Sequence, residues 1–171
     1  MRACPVGAIS KDDYNRASID YSKCISCAAC MSGCPFGAIT DRSYLIPVIE
    51  NLREKKKLVA TFAPAIEGQF GAANVGMLKA ALRKLGFSDV VEVSHFPRLI
   101  PNISHTGSPM TLVSRYIRKN DPEAKVVFIG PCVAKKLEIR RVEDSADYVL
   151  TFEELAAMFD AMGINPAEEA E

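Results

Sequence analysis

The sequence predicts a small α+β unit at the N-terminal end, followed by an α/β domain with a small, mostly parallel sheet. Three observations carry this expectation. Five of the six cysteines fall within the first 34 residues, a hexapeptide recurs there thirty residues apart, and short apolar runs then alternate with amphipathic stretches.

The bulk properties bound the function. A chain of 171 residues with 49% apolar and 25% charged residues is a folded globular protein rather than a disordered one. Lys+Arg and Asp+Glu both number 21, so the zero net charge excludes a general attraction to nucleic acid or to an anionic membrane, and partners must be recognised at defined sites. Charge or proline breaks every apolar stretch before the roughly 18 to 20 residues of a membrane span, and no secretory apolar region follows Met1. The expectation is a soluble cytoplasmic protein whose thiols stay reduced. A disulfide framework is then the weaker explanation of the cysteines, and metal binding the leading one.

Cys4-Pro5-Val6-Gly7-Ala8-Ile9 returns as Cys34-Pro35-Phe36-Gly37-Ala38-Ile39, which marks a duplicated fold. Three more cysteines precede the second copy, whereas the first begins just after Met1 and looks cut short. Cys24, Cys27, Cys30 and Cys34-Pro35 spell C-x2-C-x2-C-x3-C-P, the bacterial ferredoxin run. Three cysteines on one tight loop reach three irons of one cube, and the fourth serves the other cluster of a two-cluster domain. Applied here, Cys4, Cys24, Cys27 and Cys30 are the expected ligands of one [4Fe–4S] cluster. Cys34 is then a ligand of a second cluster whose other ligands are missing. Structural zinc is the competing reading, but zinc sites usually separate two C-x2-C pairs by about twelve or more residues. Small residues between the ligands (Ala28, Ala29, Ser32, Gly33) let backbone N–H groups approach the cluster sulfurs. Because roughly 40 residues bury too little apolar surface to fold alone, cluster binding and folding of this unit are expected to be coupled.

Residues 1–40 thus read as an α+β, ferredoxin-like 4Fe-4S domain with an incomplete first half, 41–57 as a linker helix and 58–171 as the α/β domain. The helix runs from Tyr44 to Lys57 and ends in the charged stretch Arg53-Glu54-Lys55-Lys56-Lys57, a solvated face. Leu58 to Ala63 is a buried strand stopped by Pro64. Val75, Leu78, Ala81, Leu82 and Leu85 keep helical spacing up to Gly86, a C-terminal stop. Val90 to Val93 is a second strand, and an irregular segment follows from His95 to Gly107; His95 and His105 within it read as ordinary surface or core residues. Ser108 as N-cap and Pro109 at the first helical position open a helix to about Arg118. Lys125 to Ile129 and Tyr148 to Leu150 are further strands. Thr151 with Glu154 forms a capping box heading a helix to Met162, beyond which the acidic tail is expected to fray.

Cys132, in Gly130-Pro131-Cys132-Val133-Ala134-Lys135-Lys136, follows a strand at the carboxyl edge of the sheet, where open α/β sheets bind ligands. Taken by itself, a lone cysteine is more often an inert buried thiol. The segments TFAPAIEGQFG, LRKLGFSDVVEV, HFPRLIPNIS, SPM, DPEAKVVFIGPCVAKKLEIRR and DYVLTFEELAAMFDA, joined to a ferredoxin unit, resemble the large catalytic subunit of [FeFe] hydrogenases across almost the whole chain. That family interconverts protons and H2 at an H-cluster, a [4Fe–4S] cube joined through one cysteine to a two-iron centre carrying CO and cyanide. By this resemblance Cys132 matches a ligand of the H-cluster cube, Lys135 matches the lysine that hydrogen-bonds a cyanide, and Pro64 and Ala65 match the segment lining the two-iron centre. Residues 58–171 then read as a partial hydrogenase domain.

The departures are as informative. The T-S-C-C-P segment of the family is missing between Val93 and His95, and the chain stops before the final C-x3-C segment, so three of the four H-cluster ligands are absent by this comparison. The leading expectation is an incomplete hydrogenase chain, truncated or internally deleted: an iron–sulfur electron-transfer protein that does not assemble an H-cluster and works with a redox partner such as a ferredoxin. The alternatives are a fragment of an active, ferredoxin-dependent hydrogenase and a redox- or oxygen-sensing module using the cluster and Cys132.

Overall fold

The computed structural model describes residues 2–95 and 107–170. Most of the irregular segment after His95, with His105, lies outside the described residues. Near the N-terminus β1 (Ile9–Lys11) pairs antiparallel with β2 (Ala17–Ile19), a hairpin that brings the first Cys-Pro copy beside the cysteine loop, which continues into the single turn α1 (Ala29–Ser32).

Helix α2 (Leu45–Arg53) follows, then β3 (Leu58–Phe62), α3 (Val75–Leu85), β4 (Asp89–Glu92), α4 (Pro109–Asn120), β5 (Lys125–Ile129), α5 (Ala134–Arg141), β6 (Tyr148–Leu150) and α6 (Phe152–Met162). The four strands β3 to β6 form one sheet in the order β4-β3-β5-β6, all parallel. This is a doubly wound arrangement, and it matches the expected small parallel sheet behind an α+β N-terminal unit. The chain moves outward from β3 to β4 and returns across to β5, so the winding reverses between β3 and β5.

Strand alternation sorts the core into two layers. Leu58, Ala60 and Phe62 of β3 and Val127 and Ile129 of β5 pack with Val48 of α2, Leu78 and Leu82 of α3 and Leu155 and Phe159 of α6. Val59, Val126, Phe128 and Val149 face the other way, onto Met110, Val113 and Ile117 of α4. Every residue of β3 is buried, as expected for a parallel strand covered on both faces.

Four local details differ from the expectation. Helix α2 stops at Arg53, short of Lys57, because Lys55 turns left-handed with φ 55°. Ser108 precedes α4 without capping it; its hydroxyl donates instead to Glu138. The tail past Gly163 is fastened rather than frayed: Ile164 is buried in the first core layer, Asn165 caps a 3-10 turn over Pro166–Glu168, and Glu169 pairs with Lys84. Helix α5 was not anticipated. The Thr151–Glu154 capping box is present with both bonds made, Glu154 N–H to the Thr151 hydroxyl at 3.2 Å and Thr151 N–H to the Glu154 carboxylate at 2.8 Å. Replacing Thr151 with Ala is therefore expected to lower stability by about 1 kcal/mol, read as a shift in the urea midpoint followed by far-UV circular dichroism.

Candidate metal centre

Cys4, Cys24, Cys27 and Cys30 share the wall of one cavity of about 160 Å³, while Cys34 is not among its lining residues. Cys27 is exposed and the other three are half-buried. Among the described residues no three His, Cys, Asp or Glu side chains converge closely enough for a single metal ion. The four thiols instead surround space for a larger group.

The backbone around these thiols is wound to present N–H groups. Ser26 and Ala28, on either side of Cys27, adopt left-handed φ of 54° and 61°, a conformation that costs a non-glycine residue about 1 to 2 kcal/mol. Successive backbone N–H groups next to left-handed residues are a recurring feature of anion-binding loops, iron–sulfur sites among them. The Ala8 N–H donates to Cys4 Sγ at 3.2 Å and the Ser26 N–H to Cys24 Sγ at 3.4 Å. Donation from the Ala8 N–H, then from that of Val6, holds the Cys4 thiol below its ordinary pKa. That is the direction a thiolate ligand needs. The residues present fit a [4Fe–4S] cube in thiol number, cavity and donor set.

The second Cys-Pro copy repeats the first in atomic detail. Gly7 and Gly37 both adopt left-handed φ, 62° and 59°, with the N–H of each returning to the carbonyl of its cysteine at 3.4 and 3.2 Å. The Ala38 N–H donates to Cys34 Sγ at 3.4 Å, and N–H donation from Ala38, then Phe36, lowers that thiol's pKa as well. Phe36 beside it is 89% exposed, so this copy presents a primed thiol beside an uncovered apolar ring.

The far wall of the cavity comes from α5. Val133, Lys136, Leu137 and Arg140 line it, at the spacing of one helix face, and Arg141 donates to the Tyr21 carbonyl at 2.9 Å. The only sequence signal was that spacing within VAKKLEIRR.

At the carboxyl edge of the sheet, the loops after β3 and β5 run side by side, the Ala63 N–H donating to the Ile129 carbonyl at 2.9 Å. A Cβ on Gly130 would come within 2.7 Å of the buried Phe128 ring two residues earlier, which would have to shift, while its 3.6 Å distance to the Ala63 side chain is ordinary contact. The loop after β3 carries Pro64 and Ala65, in a 3-10 turn over Pro64–Ile66, and the loop after β5 carries Cys132, which is exposed rather than buried. Lys135 does not point free into this edge: its ammonium pairs with Glu138 at 2.5 Å, and Glu138 also accepts from Ser108 and, at 3.1 Å, from Thr111. Cys132 is the one thiol on this edge among the described residues. It does not by itself provide the donor set that an H-cluster cube requires.

A thiol-lined cavity in a ferredoxin-like unit, seated on a doubly wound sheet, defines an iron–sulfur electron-transfer protein of the oxidoreductase type. The chain belongs to the family described as iron only hydrogenase large subunit, C-terminal domain, whose model matches residues 56–95 and 93–171. A 4Fe-4S binding domain matches residues 17–40, and the chain accordingly binds [4Fe–4S]. The NADP-reducing hydrogenase subunit HndD of Solidesulfovibrio fructosivorans is 24% identical over 211 residues, spanning 83% of this chain and 36% of that protein. One of the selenate reductase subunits of Mesobacillus selenatarsenatis is 46% identical over 39 residues, 23% of this chain and 13% of that protein. Pyruvate synthase subunit PorD of Methanocaldococcus jannaschii is 49% identical over 37 residues, 22% of this chain and 43% of that protein. The chain thus spans only about a third of the length of the hydrogenase relative. Among the described residues no helix is long and apolar enough to cross a membrane.

Burial acts to raise the Glu138 carboxyl, but Lys135, Ser108 and Thr111 outweigh it and hold the group below the usual glutamate range. A lowered folded-state value means that the stability is present above the unfolded value of about 4.3 and is lost as pH falls through the folded one. Glu138→Gln is expected to flatten the acid limb of the stability profile below about pH 5, measured by urea unfolding across pH; an acid limb identical to that of the unaltered protein would contradict this pairing.

Proposed function

We propose that this polypeptide is an electron-transfer module of the iron-only hydrogenase class, holding one [4Fe–4S] cube on Cys4, Cys24, Cys27 and Cys30. The observation that carries the reading is the cavity these four thiols share, with backbone N–H groups donating to the sulfurs of Cys4 and Cys24. The cube supplies one-electron transfer. The chain's own part is to bind it, to stabilise its thiolates with the Ala8 and Ser26 N–H groups, and to cover it with α5. Exposed Cys27 gives a redox partner protein, such as a ferredoxin, close approach to the cube. Residues 1–40, 41–57 and 58–171 serve as cluster unit, linker and partial hydrogenase domain.

Within these 171 residues, Cys132 is the one cysteine beyond Cys4, Cys24, Cys27, Cys30 and Cys34 of the N-terminal unit. One thiolate does not hold a cube, so this polypeptide by itself assembles no H-cluster and turns over no H2. Pro64, Ala65 and Lys135 are retained parts of that environment.

A second reading has its own support: this chain is a piece of an active hydrogenase. The two family matches meet at residues 93–95, and the 211-residue alignment with HndD is longer than the chain itself, so that relative carries residues with no counterpart here. Sequencing the DNA on both sides and across the Ser94 and His95 codons separates a natural deletion from a lost segment.

Anaerobically purified protein is expected to hold about four irons and about four acid-labile sulfides per chain, as one cube requires. On reduction it should give a single EPR signal, and Cys27→Ser should remove most of the iron. About eight irons would mean that Cys34 or Cys132 takes part in a second cube, whereas zinc or no metal would overturn the reading.

A further inference from the structure

Lys136 is only 4% exposed, yet it lies in the wall of the thiol cavity. Its ammonium pairs with Asp41, just past the second Cys-Pro copy, and at 2.9 Å with Glu154 of α6. Glu154 is itself held by the Thr151 N–H at 2.8 Å and by the Ser43 hydroxyl at 2.5 Å. The cavity wall holds four charged residues, Asp41 against Arg42, Lys136 and Arg140. Arg42 and Arg140 are exposed, so water and salt screen them; Lys136 is the buried cation. A cube on four thiolates is anionic and gains one further negative charge on reduction. A cation in a low-dielectric wall therefore favours the reduced state, and an uncompensated carboxylate there disfavours it.

We propose that Lys136 sets the reduction potential of the cluster, its buried ammonium stabilising the reduced cube and offsetting one of the two negative charges of Asp41 and Glu154 at the seam between the cysteine unit and the sheet domain. The proposal rests on the cluster assignment made above. It assigns to Lys136 a role separate from that of its neighbour Lys135, which turns away toward Glu138.

The test is a redox titration of the cluster-loaded full chain, followed by EPR of the reduced protein. At a fixed solution potential, Lys136→Met is expected to lower the ratio of reduced to oxidised cluster about tenfold, and Lys136→Arg to keep it. Adding Asp41→Asn to Lys136→Met should restore most of the ratio, because the local charge returns to its original value and the remaining carboxylate, Glu154, is still held by Thr151 and Ser43. Mere loosening of the seam would admit water, raise the ratio and be indifferent to Asp41→Asn; that result, or an unchanged ratio, overturns the proposal. Should Lys136→Met lose its iron, Asp41→Asn alone decides: with the ammonium less neutralised the ratio should rise severalfold, and no rise sinks the idea. Absence of any cluster signal in the unaltered protein would defeat the cluster assignment itself, while a normal signal with unmoved ratios defeats only the role of Lys136.

Discussion

Because β3 and β5 lie side by side and parallel, from Leu58 opposite Lys125 to Phe62 opposite Ile129, both strands discharge their following loops at the same edge of the sheet. The carboxyl edge of the sheet and the start of the helix that walls the thiol cavity are arranged around that pairing. It puts Pro64 and Ala65 and, on the neighbouring loop, Cys132 at one edge of the sheet, and α5 begins two residues past the cysteine. Reversal of winding between these two strands opens the edge, since the flanking connections leave in opposite directions. The Ala63 N–H, donating to the Ile129 carbonyl at 2.9 Å, ties the two loops together where they leave the sheet.

Helix α5 divides its charges between two neighbours. One face, carrying Lys136, Leu137 and Arg140, meets the cysteine unit; the adjoining face sends Lys135 and Glu138 toward Ser108 and Thr111 of the α4 region. Adjacent lysines of the same chemistry therefore meet different surroundings, because a helix turns about 100° per residue. A short helix with little apolar content of its own is held in place by ion pairs and by the surfaces it joins.

What could be read from the chain follows from how local the physics is. Cysteine spacing encodes which thiols a loop can aim at one point, so the grouping of Cys24, Cys27 and Cys30 needed no tertiary information; Cys4 joined them through the repeat. Strand alternation and the Thr151–Glu154 box were legible for the same reason. Helix α5 was not, because VAKKLEIRR has a weak apolar stripe and takes its order from the units on either side. Burial of Lys136 could not be foreseen, since its two carboxylate partners come from residues 95 positions before it and 18 after it. Ile164 was misjudged similarly: an acidic tail looks solvated, but one branched residue finds the gap beside α3 and α6.

Strand β4 occupies the rim of the sheet, hydrogen-bonded to β3 alone. Extra chain inserted after such a strand need not part any pair of neighbours or thread between packed layers. Its entropic penalty grows only with the logarithm of its length, each doubling adding about 0.6 kcal/mol. Families built on this scaffold can therefore gain or shed whole segments at the Ser94–His95 position while β3, β5 and β6 stay in register. Architecture and catalytic equipment can accordingly evolve at different rates along one polypeptide.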